Sequence, residues 1–393
     1  MKKLILLRNK EKSLQRFHPW VYSGAVYKKD PTLKDGDNVE VYDSQNQYLA
    51  TGHYHNNSIC VRIFSFIQIE PDYAFWKSKF ENAIQYRKTL QLIDNKTTTI
   101  FRLINGEGDF MPGLIIDWFN GNVVIQFHSV GMYFLKDTII QILLELFPNQ
   151  ITSIYNKSAA TLYENLETST DDGLLYGTLD EVLVHENSIP FYVDIVNGQK
   201  TGFFIDQRDN RQLVGNFSKG RRVLNLFCYT GGFSLYALEG GAQLVHSVDI
   251  SKKAIEWTDE NVGLLNEKDL HQSYAENVFD FLDQMEDSFY DLIVLDPPAF
   301  AKHHRAKDQG IKGYRNINRK AMEKLKPGGL LFTFSCSQAI TQEDFQTIVF
   351  SAAAIENKTV RIVKQLHQSL DHPVSIYHPE GEYLKGLMLE IGS

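Results

Sequence analysis

The chain is poor in the residues that staple small secreted proteins or hold zinc. Its three cysteines, Cys60, Cys228 and Cys336, fall in no metal-ligand spacing, so neither a disulfide framework nor a zinc site is expected. A reducing cytoplasm suits such usage. No apolar run approaches the length that crosses a bilayer, and the opening MKKLILLRNKEK turns charged too soon for a signal peptide. The glycine triplet G-x-G-x-x-G is also missing, which disfavours NAD. Gln199 rather than glycine precedes Lys200-Thr201, which removes a phosphate-binding P-loop.

A net charge of −8 seems to oppose nucleic-acid binding, but the charge is unevenly spread. Residues 1–30 hold eight Lys/Arg against Glu11 and Asp30, and residues 302–326 hold nine against Asp308 and Glu323. Two basic islands on an acidic body are what local phosphate contact needs, because clustered cations release counterions. Solvated faces are the blander explanation of each island. With 43% hydrophobic and 22% charged residues over 393 positions, two or three globular domains are expected.

Residues 1–70 read as a small β domain, with strand-like runs at Asn38–Tyr42, Tyr48–Gly52 and Ile59–Phe64 separated by turn residues. Residues 71–188 read as an α+β unit. A helix over 72–95 and another over 133–147 flank strands around the Asn120-Gly121 turn. Glu107, Asp109 and Asp117 are expected to be turn and surface acids. From 189 to 393 the pattern alternates between strand and helix, the mark of a parallel sheet. Strands are expected at Val223–Phe227, Leu244–Asp249, His271–Ala275, Leu292–Asp296, Leu330–Ser335, Val360–Gln365 and Leu387–Ile391. The fold class is therefore α/β, a seven-stranded Rossmann-like domain behind two smaller ones.

Chemistry-bearing residues recur at the ends of these strands. The first breaks into Phe227, Tyr229, Thr230, Gly231 and Gly232, a turn through which a ligand can approach the backbone. Asp249 closes the second, where a carboxylate can accept from both hydroxyls of an adenosine ribose. Ser251 follows it, Asn277 follows the third strand with an amide for an adenine edge, and Asp296-Pro297-Pro298 follows the fourth. Ligands of open α/β sheets bind beyond the carboxyl ends of the strands, so these positions converge on one crevice.

The N-terminal pattern GDNVEVYDSQNQYLATGHY resembles the PUA domain, a small RNA-binding β barrel. NGQKTGFFIDQRDNR, VLNLFCYTGGFS, SVDIS, LDPPAF, LLFTFSCS and DHPVSIYHPEGEYLKG resemble the class I S-adenosylmethionine methyltransferases. More narrowly, they resemble the bacterial 23S rRNA 5-methylcytosine methyltransferases that begin with a PUA domain. The resemblance implies S-adenosylmethionine as cofactor and RNA as partner, either 23S rRNA or a ribosomal assembly intermediate. No membrane partner is expected, and a homodimer is admitted. It also implies that Lys200, Phe203, Asp206, Gln207 and Arg208 fold over the cofactor, with Arg208 or Lys200 facing the methionine carboxylate. For Asp206 and Gln207, simple capping of the next helix is the alternative.

Within that resemblance, Cys336 at the end of the fifth strand is the expected nucleophile, adding to cytosine C6 so that C5 can take up a methyl group. Asp296 is expected to hold the N3/N4 edge and assist protonation. Phe300 is expected to stack on a base, and 302–326 to follow the strand. Two positions depart from the family: Asn277 stands where an acid is usual, and Ala299 where lysine is frequent. Ala299 also counts against the exocyclic-amine methyltransferases, which carry an aromatic there. Those enzymes, a non-catalytic RNA-binding assembly factor and a small-molecule methyltransferase are the competing readings. His372, His378 and Tyr383 are left without a role.

Overall fold

A computed structural model describes residues 1–162, 171–301 and 304–392, which form two compact units. The first comprises Met1–His185, Val193–Ile205 and Leu370–Gly381, and the second Glu186–Tyr192, Asp206–Ser369 and Glu382–Ser393.

The first unit contains two sheets, each with its own apolar core. One is six-stranded and uses only residues before Phe66, in the order Trp20–Tyr22, Ile59–Ser65, Tyr48–Tyr54, Asn38–Tyr42, Lys2–Leu6 and Val26–Lys29. The other is five-stranded and runs from Gly173–Gly177 through Ser153–Asn156, Asn122–Phe127 and Leu114–Phe119 to Ile100–Asn105. A helix at Tyr73–Thr89 covers it, started by Asp72, whose carboxylate accepts from the Phe75 N–H at 2.8 Å. This helix stops six residues short of the sequence expectation. Leu90 leaves the helical conformation, and Gln91 and Asp94 then take positive φ. The second expected helix is two, Val130–Phe134 and Lys136–Leu146.

Two acids expected on the surface are structural ion-pair partners inside this unit. Arg87 is fully buried, and its guanidinium forks onto both oxygens of Asp109. Asp117 is also fully buried; it accepts from Arg102 at 2.8 and 3.0 Å and from the Thr201 hydroxyl at 2.6 Å. Single-sequence reasoning places lone acids in solvent because it cannot see the arginines that neutralise them.

In the second unit the strands are β1 (Arg222–Leu226), β2 (Leu244–Asp249), β3 (His271–Ala275), β4 (Tyr290–Leu295), β5 (Leu325–Ser335), β6 (Val360–Leu366) and β7 (Lys385–Ile391). They form one sheet in the order β3-β2-β1-β4-β5-β7-β6. β3, β2, β1, β4 and β5 are parallel, so their carboxyl ends share one edge, while β7 runs antiparallel to both neighbours. The strand order reverses between β1 and β4, the position at which such sheets open a ligand crevice.

The interleaved helices are α1 (Arg208–Asn216), α2 (Gly232–Glu239), α3 (Lys252–Val262), α4 (Val278–Gln284), α5 (Lys307–Lys324) and α6 (Gln342–Ile355). Helix α5 runs through two glycines. A Cβ at Gly310 would lie 2.6 Å from that of Ala301, and one at Gly313 would lie 3.0 Å from the Phe300 ring. Both glycines let the 300–301 turn press against the helix, which keeps the loop after β4 close to α5. Among the described residues no helix is long and apolar enough to cross a membrane.

Candidate active site at the strand ends

The turn after β1 is conformationally costly. Phe227, Tyr229 and Gly231 take φ of 59°, 50° and 79°, a left-handed region that bulky residues enter only when their surroundings demand it. Helix α3 supplies that demand. The Thr258 hydroxyl donates to the Tyr229 carbonyl at 2.8 Å, and the Asn261 amide to the Thr230 carbonyl at 3.0 Å. A Cβ on Gly231 would meet Thr258 Cγ2 at 2.8 Å, so position 231 admits little beyond glycine. With Cys228 and Thr230 outside the positive-φ region, the alternating handedness forms a concave backbone suited to negative charge.

Asp249 is held beside this turn by two backbone donors, Tyr229 N–H at 3.1 Å and Ser251 N–H at 2.9 Å. Its carboxylate keeps further acceptor capacity for ribose hydroxyls. Ile250, 69% exposed, follows it and offers an apolar surface that sequence reasoning did not single out. Ser251 and Asn277 both cap helices. The Ser251 hydroxyl accepts from Ala254 N–H, and the Asn277 carbonyl from Phe279 N–H, which leaves the Asn277 NH₂ available to a base edge.

Asp206, Gln207 and Arg208 open helix α1, but neither of the first two caps it. Gln207 occupies the cap position without a side-chain capping bond. Its NH₂ donates instead to Asp296 Oδ2 at 3.0 Å, and its carbonyl accepts from Asn210 at 2.6 Å. The Tyr383 hydroxyl donates to Asp206 Oδ2 at 2.6 Å, while Asp206 Oδ1 is buried with no hydrogen-bond partner. Arg208 is buried. Lys200 and Phe203 belong to the first unit, where Lys200 is exposed at a φ of 55° and Phe203 is buried.

Asp296 follows β4 directly, with the buried Pro297 next. It keeps slight solvent access, yet its carboxyl lies deep among protein atoms. That desolvation, reinforced by the Asp206 charge, pushes it up to about 7 against the pull of Gln207 and Arg211. Near neutrality it therefore divides between acid and carboxylate, the condition a proton donor needs.

Cys336 follows β5 and is partly exposed, whereas Cys60 and Cys228 are buried, and burial pushes both their thiols up. Ser337 fixes the turn that carries Cys336. Its hydroxyl accepts from Ala301 N–H at 3.1 Å and bonds the Tyr314 hydroxyl at 2.8 Å, which joins the loops after β4 and β5. Its carbonyl accepts from the buried Lys385 ammonium at 2.8 Å. Burial pushes Lys385 down, and the charge of Cys336 acts the other way, so the two groups sense each other. Lys385 was missed: its stretch, HPEGEYLKG, carries no pattern that points to a strand pairing with Ser335. The half-buried Phe300 ring packs 4.8 Å from that of Tyr314.

The basic stretch 302–326 is less cationic than its composition implies, and Lys302 and His303 lie outside the described residues. Lys307, Arg319, Lys320, Lys324 and Lys326 are paired with acids. Arg305 and Lys312 are exposed. At the N-terminus Arg8, Lys10, Lys12 and Arg16 all face solvent.

These features fit the methyl donor S-adenosylmethionine. A fixed carboxylate at a strand end and an orphaned buried acceptor match its ribose and ammonium. Residues 162–381 match the family model of S-adenosylmethionine-dependent methyltransferases, and residues 4–66 that of PUA-like domains. The chain is 39% identical over 393 residues to ribosomal RNA large subunit methyltransferase I of Tolumonas auensis, covering 98% of each chain. The protein of that name from Pseudoalteromonas translucida gives the same identity and coverage. A solved structure described as "Crystal structure of SMU.776, a putative methyltransferase complexed with SAH" superposes with a TM-score of 0.85 at 25% identity. It covers 99% of this chain and 100% of that one.

Proposed function

The chain belongs to the S-adenosylmethionine-dependent methyltransferases of the ribosomal RNA large subunit methyltransferase I type, and we propose that it forms 5-methylcytosine in 23S rRNA through a covalent Cys336 adduct. The observation that carries this reading is the bond from Ala301 N–H to Ser337 Oγ at 3.1 Å, which ties the Cys336 turn to the loop bearing Asp296. A nucleophile and a proton donor near its working pKa thus sit on one braced edge.

S-adenosylmethionine supplies an electrophilic methyl group there. On this reading Asp249 would hold its ribose, the Phe227–Gly232 turn would line its pocket, and Asp206 Oδ1 would accept from its ammonium. Cytosine C5 is a poor nucleophile. Addition of the Cys336 thiolate to C6 breaks the C5=C6 π bond and moves the electron pair toward C5 and the ring, where a proton from Asp296 at N3 neutralises developing charge. C5 then takes the methyl group as the methyl's bond to the sulfonium sulfur breaks and a neutral thioether leaves. A base removes the C5 proton, the C5=C6 bond re-forms with expulsion of the Cys336 thiolate, and the N3 proton returns to Asp296. Gln207 orients Asp296, and Lys385 steadies the Cys336 turn. The target base must leave its stack to enter such a crevice. Three cysteines outside any disulfide suit the reducing cytoplasm in which we place this chemistry.

RNA containing 5-fluorocytosine tests the proposal, because fluorine at C5 cannot leave as a proton and the adduct accumulates. Denaturing gels should show a covalent complex with wild type and none with Cys336→Ala. Full turnover by the alanine variant, with no adduct in wild type, would favour methylation of an exocyclic amine instead.

A further inference from the structure

Two exposed phenylalanines in the first unit hold a backbone conformation that bulky residues avoid. Phe17 has a φ of 61° and is 48% exposed, and Phe110 has a φ of 57° and is 56% exposed. Asparagine or glycine would occupy both places with less strain, and burial does not explain the aromatic side chains. Both line the same surface cavity of about 460 Å³.

The walls of this cavity are aromatic and polar together. Phe17 packs edge-on against Phe66, with centroids 5.2 Å apart, and lies 5.2 Å from Tyr377. Across from them Lys79 sits 5.9 Å from the Phe110 ring and donates to the Phe110 carbonyl at 3.2 Å, which steadies the strained residue. Glu107 also lines the cavity; one of its oxygens accepts from the Trp20 indole at 2.8 Å, leaving acceptor sites on the carboxylate. The exposed Arg16 directly precedes Phe17 in a stretch that also exposes Arg8, Lys10 and Lys12.

We infer that this cavity of the first unit binds one unpaired nucleobase of the RNA substrate, using none of the strand-end residues where methylation is proposed. A base has two π faces for the rings, and its exocyclic amine is a donor for Glu107. A flanking phosphate is a partner for the exposed Arg16, while Lys79 donates to the Phe64 and Phe110 carbonyls and braces the wall. An apolar protein side chain would use the rings but not the carboxylate. Strain at Phe17 and Phe110 keeps the rings presented before RNA arrives, which lowers the ordering cost of binding. The inference rests on RNA as substrate, and it adds an RNA contact made by the first unit.

The test uses the full chain and a fluorescently labelled single-stranded oligoribonucleotide at fixed salt, read by anisotropy. The variant is Phe17→Asn with Phe110→Asn, since asparagine accepts the left-handed backbone. Affinity should fall by roughly 5- to 100-fold, the range for losing base stacking. Its Tm should not fall, and its S-adenosylmethionine affinity by calorimetry should match wild type. Ultraviolet cross-linking of wild type should attach RNA to peptides containing Phe17, Phe110 or Tyr377. Wild-type-like RNA affinity in the variant would overturn the cavity assignment while leaving the RNA reading intact. Failure of wild type itself to bind any single-stranded RNA would overturn both. A loss of affinity that tracks a fall in Tm would reduce the two rings to packing and overturn the assignment as well.

Discussion

The side-chain amide of Gln207 donates to Asp296 Oδ2 at 3.0 Å, so a residue of the segment before the sheet regulates the carboxyl at the end of β4. This bond favours the ionised form and opposes the burial that holds Asp296 near 7. Gln207→Leu should therefore move the alkaline limb of the kcat/KM profile upward from about 7. The expected displacement is about 1 pH unit, the worth of one hydrogen bond to a charged group. An unmoved limb would show that Asp296 is not the titrating donor.

Asp296 is also a stability liability. Its folded pKa of about 7 lies above the ordinary 3.8, so the stability tied to its neutral form is complete below pH 3.8 and is lost as pH rises through 7. At pH 8 the ionised, desolvated carboxylate costs on the order of 2–4 kcal/mol. Asp296→Asn keeps the acceptor for Gln207 and removes the charge. Urea melts should find it more stable than wild type at pH 8 and close to wild type at pH 4, while methyl transfer is lost.

Gly231→Ala should weaken cofactor binding out of proportion to its effect on folding. The new Cβ meets Thr258 at 2.8 Å in a backbone already at φ 79°, so the turn after β1 must shift. The core of the second unit, built on strands and on helices such as α5 and α6, need not. Calorimetry should show S-adenosylmethionine affinity down at least tenfold, with a stability loss of about 1–2 kcal/mol. Equal affinity would remove this turn from the cofactor site.

Asp109→Ala should destabilise the first unit strongly, because it strands the fully buried Arg87 guanidinium. Breaking one partner of a buried pair typically costs about 3–5 kcal/mol. Arg87→Met with Asp109→Leu, which removes both charges, should recover most of that in denaturant melts.

The sheet of the second unit was legible because each strand is a short apolar run bounded by turn residues, and β2 and β3 fall at their expected limits. Their ends located Asp249, Asp296 and Cys336 for the same reason. What the sequence concealed depends on partners far along the chain. Nothing local explains Gly310 and Gly313 within α5 until Ala301 and Phe300 are seen against them. Asp117 reads as a surface acid until Arg102 and Thr201 close over it. Gln207 reads as a cap or a cofactor contact, and only the fold brings Asp296 to its amide. Nothing local announces that 370–381 joins the first unit, where Arg102 N–H donates to the Asp371 carboxylate at 2.8 Å and the Asn105 amide to the Pro373 carbonyl at 2.9 Å.

That excursion between β6 and β7 governs how the protein can be made and unmade. The backbone passes from one unit to the other five times, at 185/186, 192/193, 205/206, 369/370 and 381/382. No single proteolytic nick can part them. During synthesis the first unit lacks its last segment until residue 381 has emerged, and the seven-stranded sheet lacks β7 until 391. Domains usually fold in sequence as the chain appears. Here the two are completed within ten residues of each other, at 381 and 391.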